Sequence, residues 1–349
     1  MSNTLVTIDM VTREALRIAH EKCQFISTTD RQYDSSFAKT GAKIGASLRV
    51  RKPNQYLRTQ GTRVMDVQEQ DEQTSTVTVA TQDHVDMRFN SAELALSLDE
   101  LSKRYIEPAV SSLVSAIEGD YLAYATKKTY NVVGTAGTAI TDLTAPGLAR
   151  ARLNQMLAPK DRNRAIQMDS VTMAGLVKGV AAYFNPSGAI SEQYREGLVA
   201  RTSMADYYEN ERVWTLTHSG DVTVTTAAAA AVTDGGTNIT LASVGAGDTT
   251  AGMTFTVAGV YACHPETKQS LGYLQPYVVI TGGATTQTVS PATILTGPRQ
   301  NVCSAASAQL ATTAYNGTAV AVTFFGAMNT SYAQSLMYHK EAFQFVTAD

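Results

Sequence analysis

The chain has 349 residues, 44% of them hydrophobic, and a formal net charge of -3. It can bury a sizeable core as two domains, or as one domain with a large insertion. That balance excludes a disordered chain and a strongly basic nucleic-acid binder. Three cysteines (Cys23, Cys263 and Cys303) stand far apart, which excludes a disulfide framework and suits a reducing compartment. No run of about 18 apolar residues marks a membrane span. The opening MSNTLVTIDM has no basic start and carries Asp9, so a signal peptide is not expected.

Charged residues make up 17% of the chain, against about 25% in ordinary soluble domains. The deficit is local: residues 218–349 hold nine charges and 23 threonines. The chain therefore reads as two chemically different parts. Residues 1–40 begin with a short helical pattern around Ile8, Leu16 and Ile18 and continue as a polar arm. In 41–92 Leu48 and Val50 alternate with Ser47, Arg49 and Arg51, and Val77 and Val79 with Thr76 and Thr78. Val85, Met87 and Phe89 repeat the pattern. This two-residue period is that of strands. The polar stretch between them, about 54–75, is a long hairpin or loop that cannot pack on its own. A two-stranded ribbon is marginal in water, so outside support is expected.

Ser97 with Glu100 forms a capping box, and Pro108 is expected to break or kink the helix it opens. Val110, Leu113, Val114, Ile117, Tyr121 and Tyr124 recur at helical steps over 109–128. They predict a straight helix about 30 Å long, with Leu113 and Ile117 inward and Glu118 on the opposite face. Further helices are expected at 146–158 and 171–183, the latter capped by Asp169 or Ser170, with a short buried strand at 165–168 between them. From about 220 the texture turns to Thr, Val, Ala and Gly. Runs such as Phe255–Val257, Tyr277–Ile280 and Ala319–Phe324 read as an all-β region.

No motif assembles a catalytic centre. Gly134-Thr135-Ala136-Gly137 lacks the Lys-Ser/Thr of a phosphate loop and reads as a turn. Cys263-His264, followed by Glu266, offers a thiol beside an imidazole. It has neither a spaced second ligand pair for zinc nor an orienting third group, and reads as a buried Cys beside a turn His. The chain is not expected to be an enzyme and no cofactor or metal is expected. The basic run Arg49, Arg51, Lys52, Arg58 and Arg63 precedes the acids Asp66, Glu69, Asp71 and Glu72. It could line phosphates, form a solvated strand face, or pair with acids of a neighbouring copy. The change of sign within one loop favours the last over DNA binding, which makes these nine residues candidate inter-subunit contacts.

Six blocks, in order, resemble the major coat proteins of short-tailed Salmonella-type double-stranded DNA bacteriophages. They are TLVTIDMVTREALR, RQYDSSFAKTGAKIGASLRVRKPNQY, VDMRFNSAELALSLDELSKRYIEPAVSSLVSAIEGD, NPSGAISEQYREGLVARTSMADYYEN, FTVAGVYACHPETKQSLGYLQPYVV and YHKEAFQFVT. The resemblance is strongest over 1–130 and 185–217.

The resemblance implies an α+β fold of the Hong Kong 97 capsid type, with a long spine helix, an extended hairpin loop and an inserted β-barrel-like domain. It divides the chain into an N-terminal arm (1–40), an extended loop (41–97) and a peripheral and axial body with the spine helix (98–219). A β-rich insertion (220–325) and a return to the body (326–349) follow. The family continues beyond its HKEAFQFVT-like strand, where this sequence ends. The implied function is self-assembly into pentamers and hexamers of an icosahedral head around double-stranded DNA. Implied partners are further copies, a scaffolding protein, a portal, DNA held non-specifically and a decoration protein, with no membrane. The implied location is the virion, after assembly in the host cytoplasm. Alternatives are a compartment shell of the same fold without a genome, a Cys-dependent hydrolase using Cys263 and His264, and a tail or fibre protein.

Overall fold

Helical and strand periods separate along this chain, and a computed structural model shows how they pack. It describes residues 8–31, 47–61, 65, 67–68, 72–78, 81–86, 88, 102–180, 205–218, 223–225, 233–241, 249–283, 285–308, 310, 320–327 and 329–346. The capping box at Ser97 and Glu100 lies outside these residues. The helices are α1 (Ile8–Lys22), α2 (Phe25–Thr28), α3 (Glu107–Lys128), α4 (Thr144–Gln155) and α5 (Ser170–Val180). Strands β1 (Ser47–Arg51), β2 (Thr74–Thr78), β3 (Arg164–Met168), β4 (Asp206–Glu209), β5 (Thr215–Thr217), β6 (Thr223–Thr225) and β7 (Gly236–Thr240) come first. After them come β8 (Thr254–Cys263), β9 (Ser270–Thr281), β10 (Thr286–Thr293), β11 (Val302–Cys303), β12 (Ala321–Phe324), β13 (Ser331–Ala333) and β14 (Leu336–His339). The chain is thus α+β, with its helices gathered in a body and most of its strands in a separate unit.

The body is built on a three-stranded sheet ordered β14-β3-β4, antiparallel on one side and parallel on the other. The central strand β3 is buried along its whole length, because both faces are covered. Ala165 packs with Leu336, Tyr338, Leu122 of α3 and Phe25 of α2. The alternate residues Ile166 and Met168 pack with Met173, Leu176 and Val180 of α5. This is the two-residue alternation of a strand, with one set of helices answering each face. Asp169 caps α5 by accepting the Thr172 N–H (3.2 Å). A Cβ on Gly179 would fall 1.4 Å from the Thr141 carbonyl oxygen, so only glycine lets α5 lie so close to the 140–143 segment. At the start of β3 the buried Arg164 guanidinium donates to the carbonyls of Ala158 (3.0 Å) and Pro159 (2.8 Å), beyond the end of α4.

Helix α3 runs about 33 Å at 1.5 Å per residue. Pro108 sits inside its first turn, where a missing N–H leaves no bond unmade, so the helix begins before the proline rather than after it. A π-helical turn, Ser102–Ile106, leads into it. Val114, Glu118, Leu122 and Ala125 face inward, while Pro108, Ser112, Ala116, Asp120, Tyr124 and Lys128 face out. The expectation for this helix is therefore corrected. Leu113 and Ile117 lie half-buried on its flank, and the fully buried Glu118 lies at its centre. The reason is pairing across the chain. Arg212 Nη1 meets the Glu118 carboxylate at 2.5 Å, and the backbone N–H groups of Gln24 (2.8 Å) and Phe25 donate to it. Arg212 Nε also donates to Ser115 Oγ (3.0 Å). A buried carboxylate that is paired and hydrogen-bonded is tolerated.

The arm expected over 1–40 is, in its described part, packed into the body. Ile18 of α1 meets Ile106, with Val11 and Ala15 beside it, and Phe25 is fully buried beneath α3. Ser102 Oγ donates to Glu14 (2.9 Å) and Arg17 Nη2 to the same oxygen (2.6 Å). The Arg17 hydrogen bond, then the one from Ser102, holds the Glu14 carboxyl down at about 2. Asp30 then bridges to Gln344 near the other end of the chain.

Strands β6 to β12 pair only among themselves, in the order β6-β12-β8-β9-β10-β7, with β11 alongside β8. Strand β8 serves two partners along one edge: Phe255–Val257 pair with β12, while Tyr261 and Ala262 pair with β11. Phe255, Val257, Val260, Tyr277, Val279, Val322 and Phe324 form the core of this β unit. The chain leaves the body along β5 and returns along β13, and these two strands pair antiparallel from Thr215–Ala333 to Thr217–Ser331. An insertion whose ends lie side by side leaves its host sheet undisturbed.

Candidate inter-subunit contact surface

The ribbon made by β1 and β2 is largely exposed, with Val50 and Val77 half-buried. Its register runs from Ser47–Thr78 to Arg51–Thr74, and among the described residues neither strand pairs with any other sheet. Beyond the strands the pairing continues through a side chain. Gln68 accepts the Leu57 N–H at its Oε1 (2.9 Å) and donates its Nε2 to the Leu57 carbonyl (2.6 Å). The Gln68 amide thus takes the place of a backbone partner and extends the ribbon past its β ladder.

Arg49 and Arg51 are separated by one residue, Val50, and share one face of β1, and both are exposed. Lys52 and Arg58 continue the basic run and are exposed as well. Arg51 Nη1 lies 3.6 Å from Glu72 Oε2, with both side chains more than half exposed. An ion pair in that setting is worth about 0–1 kcal/mol. Glu72 therefore finds a cation in its own chain, at the base of the ribbon. Arg63, Asp66, Glu69 and Asp71 lie outside the described residues.

The sequence reading passed over the apolar residues of this loop. Met65 is 85% exposed and Val67 77%, with Tyr56 and Leu57 exposed across from them. Single exposed apolar residues are ordinary. Four on one ribbon, none of them a member of a buried cluster of the body or the β unit, are a surface that water disfavours. Their signal in the sequence was two short apolar pairs, Tyr56-Leu57 and Met65 with Val67, inside a stretch dismissed as polar.

Cys263 and His264 serve separate structural roles. Cys263 is buried in β8 near Cys303 of β11. Burial, and then the neighbouring Cys303, pushes its thiol up to about 12, the opposite of an activated nucleophile. His264 Nδ1 accepts the N–H groups of Glu266 (3.2 Å) and Thr267 (3.3 Å) and so closes the turn after β8. Gly134 and Gly137 both have φ near +80° (+88° and +78°) in a turn closed by Thr138 N–H to Thr135 O (3.1 Å). Among the described residues no group of three His, Cys, Asp or Glu side chains could hold a metal ion. Among them, too, no helix is long and apolar enough to cross a membrane.

No family model matches the sequence, and no curated protein matches it. Among solved structures, a chain from Mycobacterium phage Che8 is similar over 54% of this chain and 69% of its own length. The identity is 13% and the TM-score 0.41, a level at which the likeness carries no argument.

Proposed function

We propose that this chain is a shell-building major capsid protein whose copies assemble into pentamers and hexamers around packaged double-stranded DNA. The observation that carries the reading is the ribbon of β1 and β2. Its Arg49–Arg51 face is exposed, Val50 and Val77 are half-buried, and it is tipped with the exposed Tyr56, Leu57, Met65 and Val67 and flanked by Arg49, Arg51, Lys52 and Arg58. Among the described residues the ribbon has no third strand, and a two-stranded ribbon is marginal by itself; an apolar tip of this kind gains burial on another molecule. The sequence resemblance to phage coat proteins supplies the class of assembly. The order of ribbon, long helix, small sheet and inserted β unit suits the Hong Kong 97 capsid arrangement. Head-to-tail contacts between identical subunits close into rings at five- and six-fold positions. Scaffolding, portal and decoration proteins belong to the same proposal, as does location in the virion.

Electron microscopy of the expressed protein, with its nucleic-acid content measured, tests the reading. Closed shells or capsomer rings are expected, and the double variant Met65→Ser, Val67→Ser is expected to reduce assembly while leaving subunit stability within about 0.5 kcal/mol. A subunit that stays monomeric at every concentration, or a variant that assembles normally, would overturn it. Shells that form efficiently but never hold DNA would favour a compartment without a genome.

A further inference from the structure

We propose that His218 is an acid-sensitive fastener of the neck that joins the β unit to the body. The neck is the β5–β13 pair and the residues just beyond it. The His218 N–H donates to the Thr330 carbonyl (3.0 Å), and the His218 carbonyl accepts the Asn329 N–H (2.8 Å). Between these bonds the imidazole turns inward and is fully buried. It stands edge-on to Phe324 of β12, with centroids 5.8 Å apart at 82°. Gly326 closes over it: a Cβ there would lie 2.9 Å from His218 Cδ2, and φ at this glycine is +127°.

Neither ring nitrogen has a hydrogen-bond partner. A neutral imidazole always carries one N–H donor and one acceptor, so both capacities are left unmet in the closed neck. The imidazolium would bring a second donor and a full charge to the same place. Among the described residues, the groups on the elements packed there give it no counter-charge. Phe324 is the aromatic on β12, and β5 and β12 carry no titratable side chain. The one such group on β13 is the Tyr332 phenol, which accepts the Ala327 N–H (2.8 Å). Three other histidines differ. His339 meets Asp161 at 2.9 Å, His84 lies 3.4 Å from Asp86, and His264 accepts two backbone N–H groups. A buried polar group without partners calls for an explanation, and a role in opening supplies one.

The sign follows from burial, which holds the ring's proton affinity down in the closed neck. An opened neck exposes an ordinary histidine, with a pKa of about 6.5. Well above that value both forms are neutral and the neck is at its firmest. As pH falls through it, the open form takes up the proton first. The opening equilibrium then grows by up to tenfold per pH unit, until the closed form also protonates. The inference concerns the single subunit and does not depend on the shell reading.

Hydrogen exchange of the 215–218 and 329–333 backbone, compared between the wild type and His218→Phe at each pH, is the test. Comparison at equal pH removes the intrinsic pH dependence of exchange. From pH 7.5 to 5.5 the opening constant of the wild type is expected to rise about tenfold relative to the variant. Superimposable profiles would overturn the proposal. If His218→Phe fails to fold, nuclear magnetic resonance titration of the histidine-labelled wild type decides the matter. A His218 that titrates below about 6.5 supports the proposal, and one at or above that ordinary value refutes it.

Discussion

Glu118 is the side chain through which α2, α3 and the turn after β4 are fastened together, so its removal has a calculable cost. Glu118→Ala leaves the Arg212 guanidinium without its carboxylate and the N–H groups of Gln24 and Phe25 without an acceptor. Removing one partner of a buried pair costs about 3–5 kcal/mol. The Arg212 side chain is 22% exposed, so water recovers part of its solvation and the loss is expected near the lower end, about 3 kcal/mol. Glu118→Gln keeps the volume and one acceptor oxygen and is expected to lose about 1–3 kcal/mol. The double variant Glu118→Ala, Arg212→Ala is expected to be less damaged than the sum of the single changes by at least about 0.5 kcal/mol, since contacting groups couple. Urea unfolding followed by circular dichroism measures the wild type, Glu118→Ala, Glu118→Gln, Arg212→Ala and the double variant. A loss below about 0.5 kcal/mol for Glu118→Ala, the range of ordinary surface changes, or strict additivity, would refute the role given to this carboxylate.

Leu122, fully buried on the inward stripe of α3, is expected to cost about 2–5 kcal/mol as Leu122→Ala. Leu113→Ala on the half-buried flank is expected to cost less than half as much in the same urea titration, and the reverse ranking would place the wrong face inward. Gly252→Ala sets a Cβ 2.4 Å from Trp214 Cη2 at a φ of +96°. A loss of about 1–3 kcal/mol is expected, with a shift in the emission of Trp214, the chain's single tryptophan; unchanged fluorescence would count against the contact. With its thiol held up at about 12, Cys263 presents about one thiolate in ten thousand at pH 8. A thiol reagent is accordingly expected to spare Cys263 until the β unit unfolds, and mass spectrometry showing it modified in the folded protein would contradict that burial.

What periodicity alone could specify, it specified well. The long helix reads from its three- and four-residue steps and forms as Glu107–Lys128, because helical geometry brings those positions onto one side whatever lies opposite. The strand Arg164–Met168 and the cap at Asp169 were equally local matters of side-chain alternation and one short hydrogen bond. The change to Thr- and Val-rich texture near 220 coincides with strands that pair only with one another. Which face of the helix turns inward was beyond that reach. Glu118 is polar, and nothing within four residues of it reveals that Arg212 and the amides of Gln24 and Phe25 wait on the inside. The same holds at the neck, where His218 is buried by Phe324 and Gly326, more than 100 residues further along the chain. On the ribbon, the basic run Arg49, Arg51, Lys52 and Arg58 was visible in order, yet the exposure of Tyr56, Leu57, Met65 and Val67 together depends on where β1 and β2 stand relative to every core. A sequence displays the preferences that act over a turn or a strand. Burial of a charge, orphaning of an imidazole and exposure of an apolar tip are set by contacts distant in the chain, and those exist only once it has folded.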